Sequence, residues 1–209
     1  MAEVAEKYDV KRAHRELYAP SARDWALVDV RPMRYLAIDG QGSPGAGDEY
    51  LEALEALYPV AYAAKFASKR ESGRDFVVAP LEGLWWADDP TAFTRGDRDA
   101  WKWTLLIHQP GWIDETAIDA AIDAARAKRD SDALDRLRLQ VIEEGRSAQI
   151  LHRGPFADEA PTLARLHDEW MPAHGLAFNG PHHEVYLSDP RRTAPEKLRT
   201  VLRQPVRPA

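Results

Sequence analysis

Apolar positions along the chain change period in a fixed order, and that order occurs twice. "RYLAIDGQG" (34–42) is a short apolar run ending in Gly, and "AQILHRGPF" (148–156) is a second one. Each leads into a segment of helical period. In the first, Tyr50, Leu51, Leu54, Leu57, Tyr58, Ala61, Tyr62 and Phe66 recur at steps of three and four; in the second, Leu163, Leu166, Trp170 and His174 do so. Pro59 and Pro172 fall inside these segments and are expected to kink or end the helices. Strand-like runs follow, "DFVVAPLEG" (75–83) and "HHEVYLSDP" (182–190). Each half then closes on a further apolar stretch, and "KWTLLIHQP" (102–110) matches "LRTVLRQPV" (198–206) through Thr, aliphatics, a basic residue or His, and Gln-Pro.

The pattern predicts an α+β fold built as a tandem duplication of a strand–helix–strand–strand module with antiparallel sheets. Residues 1–209 form one domain, with a first module at 31–110, a helical connection at 111–145 and a second module at 146–207. The connection, "DETAIDAAIDAARAKRDSDALDRLRLQVIEEG" (114–145), reads as two helices capped by Asp114 and Ser131. Each module covers one sheet face with its helix. The expectation is that the two uncovered faces surround a shared ligand cleft.

At 209 residues the chain buries enough surface, roughly 70% of the unfolded total, to need no metal or disulfide staple. Its net charge of −6 lacks the basic stripe that a nucleic-acid binder presents to phosphates. Absence of Cys removes disulfides, thiolate zinc sites and thiol catalysis. The start, "MAEVAEKYDVKRAHREL", has no apolar leader pattern, and no stretch approaches a membrane span, so the expected compartment is the cytoplasm. Scattered His14, His108, His152, His167 and His174 have no nucleophile at a supporting spacing. Asp88 and Asp89 before Pro90 read as turn chemistry.

The informative stretch is "PHHEVYLSDP" (181–190). Strand alternation puts His182, Glu184 and Tyr186 on one face and His183, Val185 and Leu187 on the other. The second set reads as the face packed on a helix. His182 and His183 point apart, so no metal site is expected. Glu184 is then either a solvated charge or the acidic group of a pocket. Adjacent Trp85 and Trp86 cannot both enter one core, so one of them faces a cleft, a partner or solvent. Trp101 and Trp103 share a face with Leu105 and Ile107 and read as core, and Trp112 follows nearby. A carboxylate between indoles can hold a flat or cationic molecule, and burial there raises its pKa toward a useful general base.

Taken together, "KYDVKRAHRELYAPSARDWALVDV" (7–30), "PLEGLWW" (80–86), "HHEVYLSDPRR" (182–192) and "PEKLRTVLRQPV" (195–206) resemble the GyrI-like small-molecule-binding family, in its stand-alone branch. The resemblance implies a pocket between the modules, a glutamate at the position of Glu184, and aromatic lining to which Trp85, Trp86, Tyr186 and Trp112 are carried over. It also implies no cofactor, a planar aromatic or cationic ligand, and hydrolysis of cyclopropanoid genotoxins by water addition to an activated cyclopropane. On that reading Glu184 is the base, and Tyr186, Tyr35 or Tyr62 donates to the developing phenolate, with His182 beside the ligand. Sequestration of a drug without chemistry, and interaction with gyrase, are the rival readings. The chain departs from the family twice: about 30 residues precede the first strand, too few for a helix-turn-helix, and Gly154-Pro155-Phe156 stands where Gly-Pro-Tyr is common.

Overall fold

A computed structural model describes residues 7–43, 48–89 and 96–209. Its helices are α1 (Val10–Ala13), α2 (Arg15–Tyr18), α3 (Asp48–Ser72), α4 (Glu115–Arg126), α5 (Ala160–Arg165) and α6 (Met171–Ala173), the last two joined through a π turn at Leu166–Trp170. Its strands are β1 (Ala26–Val30), β2 (Met33–Gln41), β3 (Leu81–Trp86), β4 (Lys102–His108), β5 (Arg138–Ile142), β6 (Gly145–Arg153), β7 (Leu176–Phe178), β8 (His182–Tyr186) and β9 (Arg199–Pro208). The main sheet runs β1-β6-β9-β8-β3-β4-β2-β5, antiparallel throughout, with β7 paired to β9.

That order is the duplication made visible. The second module supplies β6-β9-β8 and the first β3-β4-β2, joined where β3 pairs with β8. The sequence repeat also holds in register: Tyr35 faces His108, and its counterpart Gln149 faces Arg203. The outer strands are exchanged, because β1 precedes the first module but pairs with β6 of the second, while β5 pairs with β2. Ala26↔Gln149 through Val30↔Gly145 continues as Met33↔Ile142 through Ala37↔Arg138, interrupted only by Arg31–Pro32 and Glu143–Glu144. Two linking residues reach only about 11 Å. The sheet therefore curls until its two ends join in one antiparallel ribbon.

Several expectations change. Pro59 does not end α3, which runs from Asp48 to Ser72; Pro172 does lie in the last helical turn before His174. The connection holds one helix rather than two. Asp114 caps α4, accepting from the Ala117 amide, but Ser131 caps only a short 3₁₀ turn at Asp132–Arg136. The following "RLQVI" is β5, because it has a strand, β2, to complete. The first-module strand begins at Leu81; Phe76 makes only an isolated bridge to Tyr8.

Directly opposed residues share a face, so Trp85, Gly83 and Leu81 lie with His182, Glu184 and Tyr186, and Glu82 and Leu84 lie with His183 and Val185. The assignment of faces from sequence is reversed. The helices cover the Glu184 side: α3 packs on Trp103, Leu105, Ile107, Leu36 and Ile38, and Leu166 and Met171 pack on Ile150 and Leu202. The His183 side is the inside of the curl, closed by Leu17 and Tyr18 of α2. A cavity of about 830 Å³ opens at the end of the curl, lined by Leu17, Met33 and His108 among others, and lies away from Glu184. The candidate cleft is instead placed on the helix-covered face, over the β3–β8 seam that carries Glu184.

Trp103 is fully buried with its ring over Gly40, where a Cβ would come within 2.1 Å of the indole. Gly40→Ala is expected to lower stability by about 1–3 kcal/mol through overpacking, read as a lower urea midpoint at unchanged slope. A midpoint equal to wild type would mean that the ring moves freely aside.

Candidate active site

Glu184 sits at the centre of the floor, its side chain only 16% exposed. Gly83 lies opposite it on β3, and this glycine is required: a Cβ there would stand 2.8 Å from the Trp85 Nε1 and 3.2 Å from the Tyr186 hydroxyl. Those two groups meet over the glycine, Trp85 Nε1 donating to Tyr186 Oη at 3.0 Å. The Tyr186 hydroxyl also acts as a hydrogen-bond partner of Glu184. His182 Nε2 lies 3.6 Å from Glu184 Oε1, beyond a direct hydrogen bond. Burial pushes the His182 pKa down to about 3, so the ring is neutral.

The walls come from both modules. From α3, Tyr50 packs edge-on against Trp103 at 5.5 Å, and burial together with the nearby Glu184 charge pushes its phenol up to about 12. From the segment leading into α5, Phe156 packs edge-on against Tyr186 at 5.6 Å. Glu159 follows, 5% exposed, with no hydrogen-bond partner for Oε1. Burial, then the Glu184 charge, raises Glu159 to about 9; burial raises Glu184 to about 7, against lowering contributions from Tyr186 and His183. Two buried carboxyls that repel each other keep one proton between them near neutral pH. The protonated member can donate and the ionised member can accept.

Of the residues expected from sequence, the structure brings together Glu184, Tyr186, His182 and Trp85. Trp86 turns to the other sheet face, as alternation requires. Trp112 packs with Tyr8 and Phe76, under the Arg74 guanidinium, and donates to Ser68 Oγ, outside the cleft. Tyr35 is buried inside the curl, its hydroxyl 3.7 Å from Met33 Sδ, and Tyr62 is exposed, stacked on Phe66. Glu159, Tyr50 and Phe156 were not singled out as site residues from sequence. Tyr50 carries a signal, its place on the helical stripe; Glu159 carries none, because only folding brings it near Glu184. The 81–100 connection falls partly outside the described residues. Among the described residues no group of three His, Asp or Glu could hold a metal ion, and no helix is long and apolar enough to cross a membrane.

Behind the floor lies a second acid cluster with the opposite electrostatics. His183 and Glu82 are 0% exposed, and His183 touches Glu82 Oε2 through Nε2 and Glu144 Oε1 through Nδ1, each at 3.0 Å. Arg203 donates to Glu144 Oε2 at 3.1 Å, to Gln149 Oε1 at 3.2 Å and to the Leu17 carbonyl at 2.9 Å. Tyr18 donates to Glu82 Oε1 at 2.6 Å. Burial alone would lower His183 and raise Glu144, but their partners win: His183 rises to about 9 and Glu144 falls to about 2.

These shifts fix how stability depends on pH. The raised His183 stabilises the fold fully below 6.5, and that contribution fades as pH climbs through about 9. The depressed Glu144 stabilises above 4.5 and is lost as pH falls toward about 2. Raised Glu184 and Glu159 work against folding from 4.5 upward, where the unfolded chain has ionised and the folded one holds its protons, up to about 7 and about 9. His183, Glu184 and Glu159 favour the acid side, whereas Glu144 and the buried, neutral His182 and His108 favour the alkaline side, so the denaturation midpoint should be highest between roughly pH 4.5 and 6.5 and decline toward pH 9. Glu184→Gln with Glu159→Gln should flatten the decline; an unaltered slope would show that the pair does not titrate as described.

A family profile described as a GyrI-like small molecule binding domain matches residues 24–207. An uncharacterised conserved protein from Listeria innocua is 41% identical, covering 96% of this chain and 100% of its own, with a TM-score of 0.88. A hydrolase from the same organism is 39% identical over 97% of this chain and 100% of its own, with a TM-score of 0.86. The C-terminal domain of EcmrR shares the fold at 10% identity, with a TM-score of 0.57 over 89% of this chain and 98% of its own. No protein of curated function matches. A match running from β1 to β9, around a cleft of this build, places the chain in the GyrI-like small-molecule-binding family.

Proposed function

We propose that the cleft hydrolyses planar electrophilic small molecules, with cyclopropanoid genotoxins, the class the family resemblance implies, as the candidate substrates. The observation that carries this reading is the placing of two carboxyls, Glu184 and Glu159, among Trp85, Tyr186 and Phe156, where burial raises both; on this reading Glu184 is the base and Glu159 the acid. The substrate lies between Trp85 and Tyr186 on the floor and Tyr50 and Phe156 on the walls. Water attacks the cyclopropane carbon as ionised Glu184 takes its proton. The strained C–C bond breaks, its electron pair passes into the conjugated carbonyl, and the ring becomes a phenolate. Protonated Glu159, or the Tyr186 hydroxyl, donates to the oxygen that gains charge. The balance is addition of one water, with no cofactor consumed. Similarity to a hydrolase at 39% identity over nearly the whole chain supports the reaction class.

Incubating wild-type protein with a cyclopropanoid and weighing the product tests this directly. A gain of one water is expected, whereas tight binding at unchanged mass would make the protein a sponge for the drug. Glu184→Gln keeps the stacking surface and should lower kcat by about 10²–10⁴-fold with little change in ligand affinity. Wild-type turnover in that variant would remove Glu184 as the base.

A further inference from the structure

His183 is next to Glu184 in sequence and behind it in space. Alternation along β8 sends the imidazole inside the curl and the carboxyl into the cleft. Nδ1 hydrogen-bonds Glu144 Oε1 at 3.0 Å, and Nε2 lies 3.0 Å from Glu82 Oε2, an ion-pair distance without hydrogen-bond alignment. A neutral imidazole has one N–H, so one of its nitrogens would then turn a lone pair toward an acid. Either the ring carries two protons, or an acid keeps one. The remaining partners decide. Glu144 is also held by Arg203, and Glu82 accepts from Tyr18, so each carboxyl is built to bear charge. With no exposure, the imidazolium is shielded from solvent, and its field reaches the far side of the strand weakly screened.

We propose that His183 is a fixed imidazolium whose charge acts through the plane of β8 on Glu184, making it a positioning residue of the cleft. The other groups facing Glu184 are Tyr186 and His182 on its own strand, Trp85 on β3, Tyr50 on α3 and Glu159 ahead of α5. His182 is neutral, and Glu159 is acidic. Among the charged groups acting on Glu184, His183 is the one that favours its ionised form. The functional consequence rests on the proposed role of Glu184, but the charge and its coupling do not.

The test is ¹⁵N NMR of histidine-labelled full-length protein, wild type and Glu184→Gln, titrated from neutral to alkaline pH. Both His183 nitrogens should keep protonated shifts through neutral pH and lose them near about 9. Coupling between two sites is reciprocal, so removing the Glu184 charge should bring that midpoint down. His183→Gln, if it folds, should move the Glu184 carboxyl midpoint up in ¹³C spectra, a change that lost packing alone would not produce. A neutral His183 ring at pH 7, with the proton on Glu82 or Glu144, overturns the charge. An identical His183 midpoint in wild type and Glu184→Gln overturns the coupling. Neither result depends on turnover, so failure of the hydrolase reading is separately visible.

Discussion

A β-strand turns successive side chains to opposite sides, and on β8 this rule separates two acid systems by the thickness of one sheet. Inside the curl, Glu82 and Glu144 are matched by His183 and Arg203, so their charges can be buried. In the cleft, Glu184 and Glu159 have no ion-pair partner comparable to Arg203, and the Glu184 charge acts on Glu159 instead. The same residue type therefore shifts in opposite directions across one backbone: Glu144 falls to about 2, and Glu184 rises to about 7. Burial acts upward on both, so the difference lies in the partners. An inner cluster left unmatched would cost several kcal/mol per charge, whereas the cleft pair lowers its own cost by keeping a proton.

The curl also ties the floor to both halves of the chain. Because β1 completes the second module and β5 the first, neither half has a finished sheet without the other. The ribbon, the β3–β8 seam and the plug formed by Leu17 and Tyr18 tie residues far apart in sequence into one inner core. The walls are held differently. Tyr50 rides on α3, and Phe156 and Glu159 sit in a short connection ahead of α5. Small adjustments of a ligand site are easier there than on a strand paired on both sides.

The duplication was legible because its markers are local: Gly at the end of the first run, helical period after it, and Gln-Pro at the close. These matches proved to be matches of register, with Tyr35 and Gln149 facing His108 and Arg203. The grouping of Glu184 with Tyr186 and His182 was legible too, since period two is a property of the strand alone. Which face the helices would cover was not, because nothing in β8 reveals that the sheet curls and encloses His183. Nor could spacing place Trp112, whose indole is taken up by Tyr8, Phe76 and Arg74. "RLQVI" read as helix because its strand character depends on β2, a partner more than 100 residues away.

The halves diverged at the positions that carry charge. Ile107 and Leu202 hold equivalent places, two residues before Gln-Pro, and they pair with Leu81 and Glu184 respectively. Leu81 is thus the counterpart of Glu184, and by the same register Glu82 is the counterpart of Val185, its own partner across the seam. The first module turns its acid inward and its aliphatic residue outward; the second does the reverse. His108 and Arg203 differ likewise: burial holds His108 neutral, at about 4, where its counterpart is a cation bound to Glu144. A symmetric pair of modules would have put two acids on the floor of the cleft and left Glu144 alone to match His183 and Arg203 in the inner core. Shifting one acid by a single residue in one half places Glu82 in the matched inner cluster and leaves Glu184 as the acid that this register turns to the helix-covered face.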